Sequence, residues 1–159
     1  MHLYKDCQDI EWRPIQHVPN EMNLVNVEDM AQLASEVFTV RHREPEVAIS
    51  MPQRRPDSGP ANLILIALLN QNVLPAQQFR ARVFEALWAE GLDISNDEVI
   101  ANLLAELGID MPQIASNGKA QLTAFQSQWQ AADPDRRIPI MTASDSRSLI
   151  GLSAPRDIE

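Results

Sequence analysis

Cys7 is the only cysteine in the sequence, so an internal disulfide, a Cys-x-x-Cys redox pair and a thiolate metal cluster are all ruled out within it. Asp6, Gln8 and Asp9 flank it, and nearby carboxylates raise a thiol's pKa rather than lower it. The expectation is a thiol without catalytic duty. His2, His17 and His42 lie at no metal-ligand spacing, so no metal site is expected. No Gly-rich phosphate loop, Gly-x-Ser-x-Gly elbow or carboxylate pair in catalytic context is visible. Arg41, Arg43, Arg54 and Arg55 are interleaved with Glu44, Glu46 and Asp57 and read as a solvated charged loop. Trp12, Trp88 and Trp129 fall on apolar faces and read as core. No catalytic residue is assigned from spacing alone.

Composition narrows the classes further. A chain of 159 residues suits one domain with a sizeable core. The net charge of −9, with each basic pair diluted by acids, argues against a nucleic-acid partner, which needs a concentrated cationic face. The longest apolar run, Leu63 to Leu69, is too short to span a bilayer, so no membrane partner is expected. No basic-then-apolar leader follows Met1, and the expected location is cytoplasmic.

The elements that must position any site follow from periodicity. Ile10 to Ile15 reads as a strand, with Ile10, Trp12 and Pro14 alternating against Glu11 and Arg13. Asn26 caps a helix that carries Met30, Leu33, Ala34, Val37 and Phe38 and stops before Pro45. A long loop over 44–59 follows. Pro60 to about Gln71 is apolar on every side and reads as a buried helix, with a central strand as the alternative. A helix from Pro75 to Gly91 places Phe79, Val83, Phe84, Leu87 and Trp88 on one face. Ser95 and Glu98 form a capping box for a helix closed by Gly108, and a last long helix covers Gly118 to Ala132. Ile138 to Ala143 and Arg147 to Gly151 read as strands joined by a turn, with Ser153 capping a short final helix.

This order resembles the DsbA-like thioredoxin family, in its 2-hydroxychromene-2-carboxylate isomerase branch. Three stretches carry the resemblance: Asp9-Ile10-Glu11-Trp12-Arg13-Pro14; the run from Phe84 through Glu90-Gly91-Leu92-Asp93-Ile94-Ser95 to Leu107-Gly108-Ile109-Asp110; and Arg137-Ile138-Pro139 with the later Ile150-Gly151-Leu152-Ser153-Ala154-Pro155. The middle stretch is the most specific. The third departs from the family, whose Gly-Val-Pro-Thr stands here as Arg137-Ile138-Pro139-Ile140.

The resemblance implies an α/β fold: a thioredoxin-like domain over 1–159, with a helical insertion at about 24–132 and a C-terminal strand-strand-helix at 137–159. The hairpin would lie beside the Trp12 strand in one mixed sheet. The first strand and active-site turn of that family are expected to be missing, because eight residues before Asp9 are fewer than a parallel crossover needs. The family's nucleophile is therefore absent, and a thiol- or glutathione-linked oxidoreductase or isomerase scaffold is expected to be inactive in this chain. By the same resemblance Ile138 and Pro139, joined by a cis bond, and Ser153 at the last helix would hold glutathione or a small aromatic acid. The alternative is a non-catalytic binding or assembly module, in which a homodimer or protein partner covers an open sheet edge. A decayed or mis-started gene product is a third reading.

Overall fold

The computed structural model describes residues 11–16, 27–51, 56–133, 135, 138–143 and 148–150. Its helices are α1 (Val27–Arg43), α2 (Gly59–Leu69), α3 (Val73–Trp88), α4 (Asp97–Glu106) and α5 (Gly118–Ala132). Two short strands follow, β1 (Ile140–Thr142) and β2 (Ser148–Ile150).

The uniformly apolar stretch is a helix, and it is enclosed as its composition demands. Gly59, Ala61 and every residue from Ile64 to Leu68 of α2 are buried. Pro60 fits its first turn, where a missing N–H leaves no helical bond unmade. α2 packs against α3 and α5, and α3 packs against α4. Leu65, Leu68, Phe79, Ile100, Leu103 and Leu104 lie at the centre of this core. Among the described residues no helix is long and apolar enough to cross a membrane.

Local chemistry fixes the helix ends. Asn72 caps α3 by accepting from the Leu74 N–H at 3.1 Å. Gly91 then takes φ 71°, and the Leu92 N–H donates back to the Ala86 carbonyl at 2.8 Å. Gly108 does the same for α4 at φ 66°, with the Ile109 N–H donating to the Leu104 carbonyl. The expected capping box of Ser95 and Glu98 is corrected. The cap of α4 is Asn96, whose side chain accepts from the Glu98 N–H at 2.9 Å. Ser95 is drawn instead to Asp93, whose carboxylate accepts from both its N–H and its hydroxyl. An ionised carboxylate two residues upstream is the stronger local acceptor.

The expected thioredoxin-like α/β fold with a helical insertion is also corrected. The described body is helical, and its sheet has two strands, β1 and β2, antiparallel, with Ile140 opposite Ile150. Residues 11–16 form no strand and join no sheet. Their alternating pattern belongs to an extended segment laid against helices, where side chains of α2 and α5 take backbone groups that a neighbouring strand would have taken. The inferences of a missing first strand and a missing nucleophile turn rested on that sheet and fall with it. Two side chains of the apolar helical series are exposed: Phe38, stacked on His42, and Phe84. An apolar residue at the margin of a helical stripe need not find a neighbour.

Phe79 and Phe84 test this arrangement on one helix, being 1% and 40% exposed. Phe79→Ala is expected to cost about 3–5 kcal/mol in guanidinium unfolding, and Phe84→Ala less than about 1 kcal/mol.

Candidate functional site

The segment from Glu11 to Gln16 lies where α2, α3 and α5 come together, and each helix contributes a grip of a different kind. On α5, the Gln126 side chain holds both backbone groups of Gln16. Its Oε1 accepts from the Gln16 N–H at 2.8 Å, and its Nε2 donates to the Gln16 carbonyl at 2.8 Å. This two-point clasp reproduces what a neighbouring strand offers, using a side-chain amide. On α2, Asn62 Nδ2 donates to the Ile15 carbonyl at 3.1 Å. The Gln16 side chain reaches the Asp57 carboxylate, which also accepts from the Gly59 N–H at 2.7 Å as α2 begins.

Arg13 sets the outer face. Its guanidinium forks onto Glu11, Nε to Oε1 at 2.9 Å and Nη2 to Oε2 at 3.0 Å. Nη1 donates to Gln128 Oε1 at 2.9 Å, and the group lies 5.9 Å from the Phe125 ring centroid. The bond from Arg13 lowers the Glu11 pKa, and the same bond raises that of Arg13. Both are solvent-exposed, so the pair orients Arg13 more than it stabilises the fold. Pro14, next to Arg13, is buried. It has no N–H to satisfy, which suits a position pressed against helices.

On α3, Arg80 lies over the Trp12 ring with its guanidinium carbon 3.5 Å from the centroid. The buried Trp12 Nε1, Gln77 Nε2 and Arg80 Nε have no hydrogen-bond partner. Burial lowers the Arg80 pKa. Arg82, two residues on, contrasts with it. Its Nε donates to Glu106 Oε2 at 2.8 Å, while Nη1 and Nη2 fork onto Glu90 at 2.7 and 3.1 Å. The bond with Glu90 raises its pKa, burial opposes that, and the bond with Glu106 adds a further, smaller lift. Arg82 ties α3 to the end of α4 and has a structural duty.

The residues expected to bind glutathione are placed differently. The Ile138–Pro139 peptide is cis. Ile138 is exposed and Pro139 half-buried just before β1. Ser153 and Cys7 lie outside the described residues. Sequence reasoning missed Asn62, Gln77, Arg80 and Gln126. One of them left a readable trace: Arg80 falls within the apolar series Ala76, Phe79, Val83 of α3, where a cation has no packing reason to be. Comparison with known proteins finds no matching family model, no matching curated protein and no matching solved structure.

Gln126→Ala removes both side-chain bonds to Gln16. The Gln16 amide is expected to exchange with solvent at least about tenfold faster, for a loss of about 1–3 kcal/mol. Gln128→Ala, which removes one exposed contact of Arg13, should leave that rate unchanged.

Proposed function

We propose that the chain is a binding and assembly module whose working surface is the junction of α2, α3 and α5, and that this surface grips an extended peptide. One observation carries the reading: the Gln126 side chain holds the N–H and carbonyl of Gln16 together, which recognises extended backbone rather than a particular side chain. Asn62 adds a second backbone contact one residue earlier. Trp12 and Arg13 supply side-chain selectivity through Arg80 and through Gln128 with Phe125. An extended segment held this way uses main-chain bonds for affinity and side chains for choice, as in strand addition to a sheet.

In this chain Glu11–Gln16 fills the surface. In an assembly the same segment of a second copy takes that place, since identical contacts are available to an identical sequence. The thiol and glutathione chemistry implied by the family resemblance was tied to a thioredoxin sheet, which the described residues do not form.

A labelled peptide of residues 9–18 tests the reading in fluorescence anisotropy. The tethered segment competes at an effective concentration on the order of millimolar, so the unaltered chain should bind the peptide weakly. The Trp12→Ala/Arg13→Ala chain, whose own segment is less firmly seated, should bind it at least about tenfold more tightly. Adding Gln126→Ala should abolish that gain. No measurable binding by the Trp12→Ala/Arg13→Ala chain overturns the proposal.

A further inference from the structure

Among the described residues three buried side-chain nitrogens lack a hydrogen-bond partner, one on the extended segment and two on α3. They are Trp12 Nε1, Gln77 Nε2 and Arg80 Nε. Gln77 and Arg80 are one helical turn apart, on the same side of α3. The Arg80 guanidinium stacks 3.5 Å from the Trp12 ring centroid, which joins the third nitrogen to the group. Each of these nitrogens is a donor. Random imperfection in packing would strand donors and acceptors alike, and a buried donor without a partner costs free energy that a fold normally avoids.

The charge balance points the same way. The chain carries 22 acidic residues against 13 basic ones. Arg13 and Arg82 are both forked onto carboxylates. Arg80 is half-buried and has no ion pair among the described residues. Its only described electrostatic neighbour is the face of Trp12, which offers cation–π attraction but no lone pair. A half-buried guanidinium whose Nε is enclosed, in an acid-rich chain and with no carboxylate against it among the described residues, is a site short of one acceptor.

We infer that Trp12, Gln77 and Arg80 form a binding site for a single carboxylate. The ligand class follows from the donor set. One fixed cation matches one negative charge, whereas a phosphate dianion calls for further cationic donors that this site does not have. A carboxylate has two oxygens with about four lone-pair sites, enough to accept from an indole, an amide and a guanidinium together. The carboxylate comes from a small organic acid in solution. Aromatic stacking of Arg80 on Trp12 holds the guanidinium in place before the ligand arrives, so little side-chain freedom is lost on binding. The site requires Glu11–Gln16 to be seated in its own chain and does not depend on exchange of that segment between copies.

Nuclear magnetic resonance of the full chain tests this directly, because the side-chain N–H signals of Trp12 and Arg80 report on the donors themselves. Sodium acetate is titrated against sodium chloride at matched ionic strength and constant pH. Acetate should shift the Trp12 indole N–H and the Arg80 Nε–H downfield, saturably and with one midpoint, leaving the indole signals of Trp88 and Trp129 in place. Trp12→Phe, which keeps a ring beneath Arg80 and removes the indole donor, should raise the midpoint severalfold. Arg80→Met should abolish the response.

Gln77→Glu guards against a variant that merely fails to fold. It places a carboxylate one turn from Arg80, and should raise Tm by about 2–4 °C while removing the acetate response. Acetate shifts in the unaltered chain no larger than those given by chloride overturn the inference. So does a Gln77→Glu chain that still binds acetate with the original midpoint. A chain that fails in peptide exchange but passes this titration keeps the carboxylate site and loses only the assembly reading.

Discussion

A helix with no polar side cannot lie at a surface. From Leu63 to Leu69 the chain offers only aliphatic side chains, and whichever way α2 is turned, apolar area faces outward. Enclosing it takes neighbours on several sides. α3 and α5 supply two of them, and α4 reaches the same core across α3. The amide of Asn62 and the carboxylate of Asp57 mark where this enclosed helix meets the segment before Gln16. The positions of α3, α4, α5 and the Glu11–Gln16 segment can be read as ways of covering α2 and satisfying the polar groups at its ends.

Laying an extended segment across helices creates a hydrogen-bonding problem, because helices have already used their backbone groups. The chain answers with side-chain amides. Gln126 stands in for a neighbouring strand, Asn62 takes a carbonyl, and Pro14 removes one donor from the count. This also explains why a run with strand-like alternation need not be a strand. Alternation records which side chains face apolar surface. It is indifferent to whether that surface is a sheet layer or a pair of helices.

Three arginines show how one residue type is put to separate uses within a small region. Arg13 is exposed and aligned by Glu11. Arg82 is tied by Glu90 and Glu106 and closes α3 against α4. Arg80 is held by an aromatic face, with its Nε buried and unpaired. Spacing alone does not separate these roles, since Arg80 and Arg82 stand two apart on one helix. Facing direction does: Arg82 points along the surface toward acids, and Arg80 points into the seam with the extended segment.

The sequence by itself determined the helices and their C-terminal ends. Unbroken apolar periodicity and the glycines Gly91 and Gly108, at positive φ, act over a few residues, and local rules read them. The starts at Asn72 and Asn96 are equally local, but the first proline at Pro75 and the nearby hydroxyl of Ser95, which Asp93 draws away, lead a reading of the sequence to the wrong residue. The hairpin of Ile140–Thr142 with Ser148–Ile150 was legible for the same reason. Only the tertiary structure decided what the Trp12 segment lies against, that Phe84 faces solvent while Phe79 does not, and that Asn62, Arg80 and Gln126 converge on one segment. Those contacts join residues 47 and 110 positions apart. Their partners are chosen by how helices pack around α2, and apart from the cation Arg80 set within an apolar series, that choice leaves no period, cap or spacing in the linear chain.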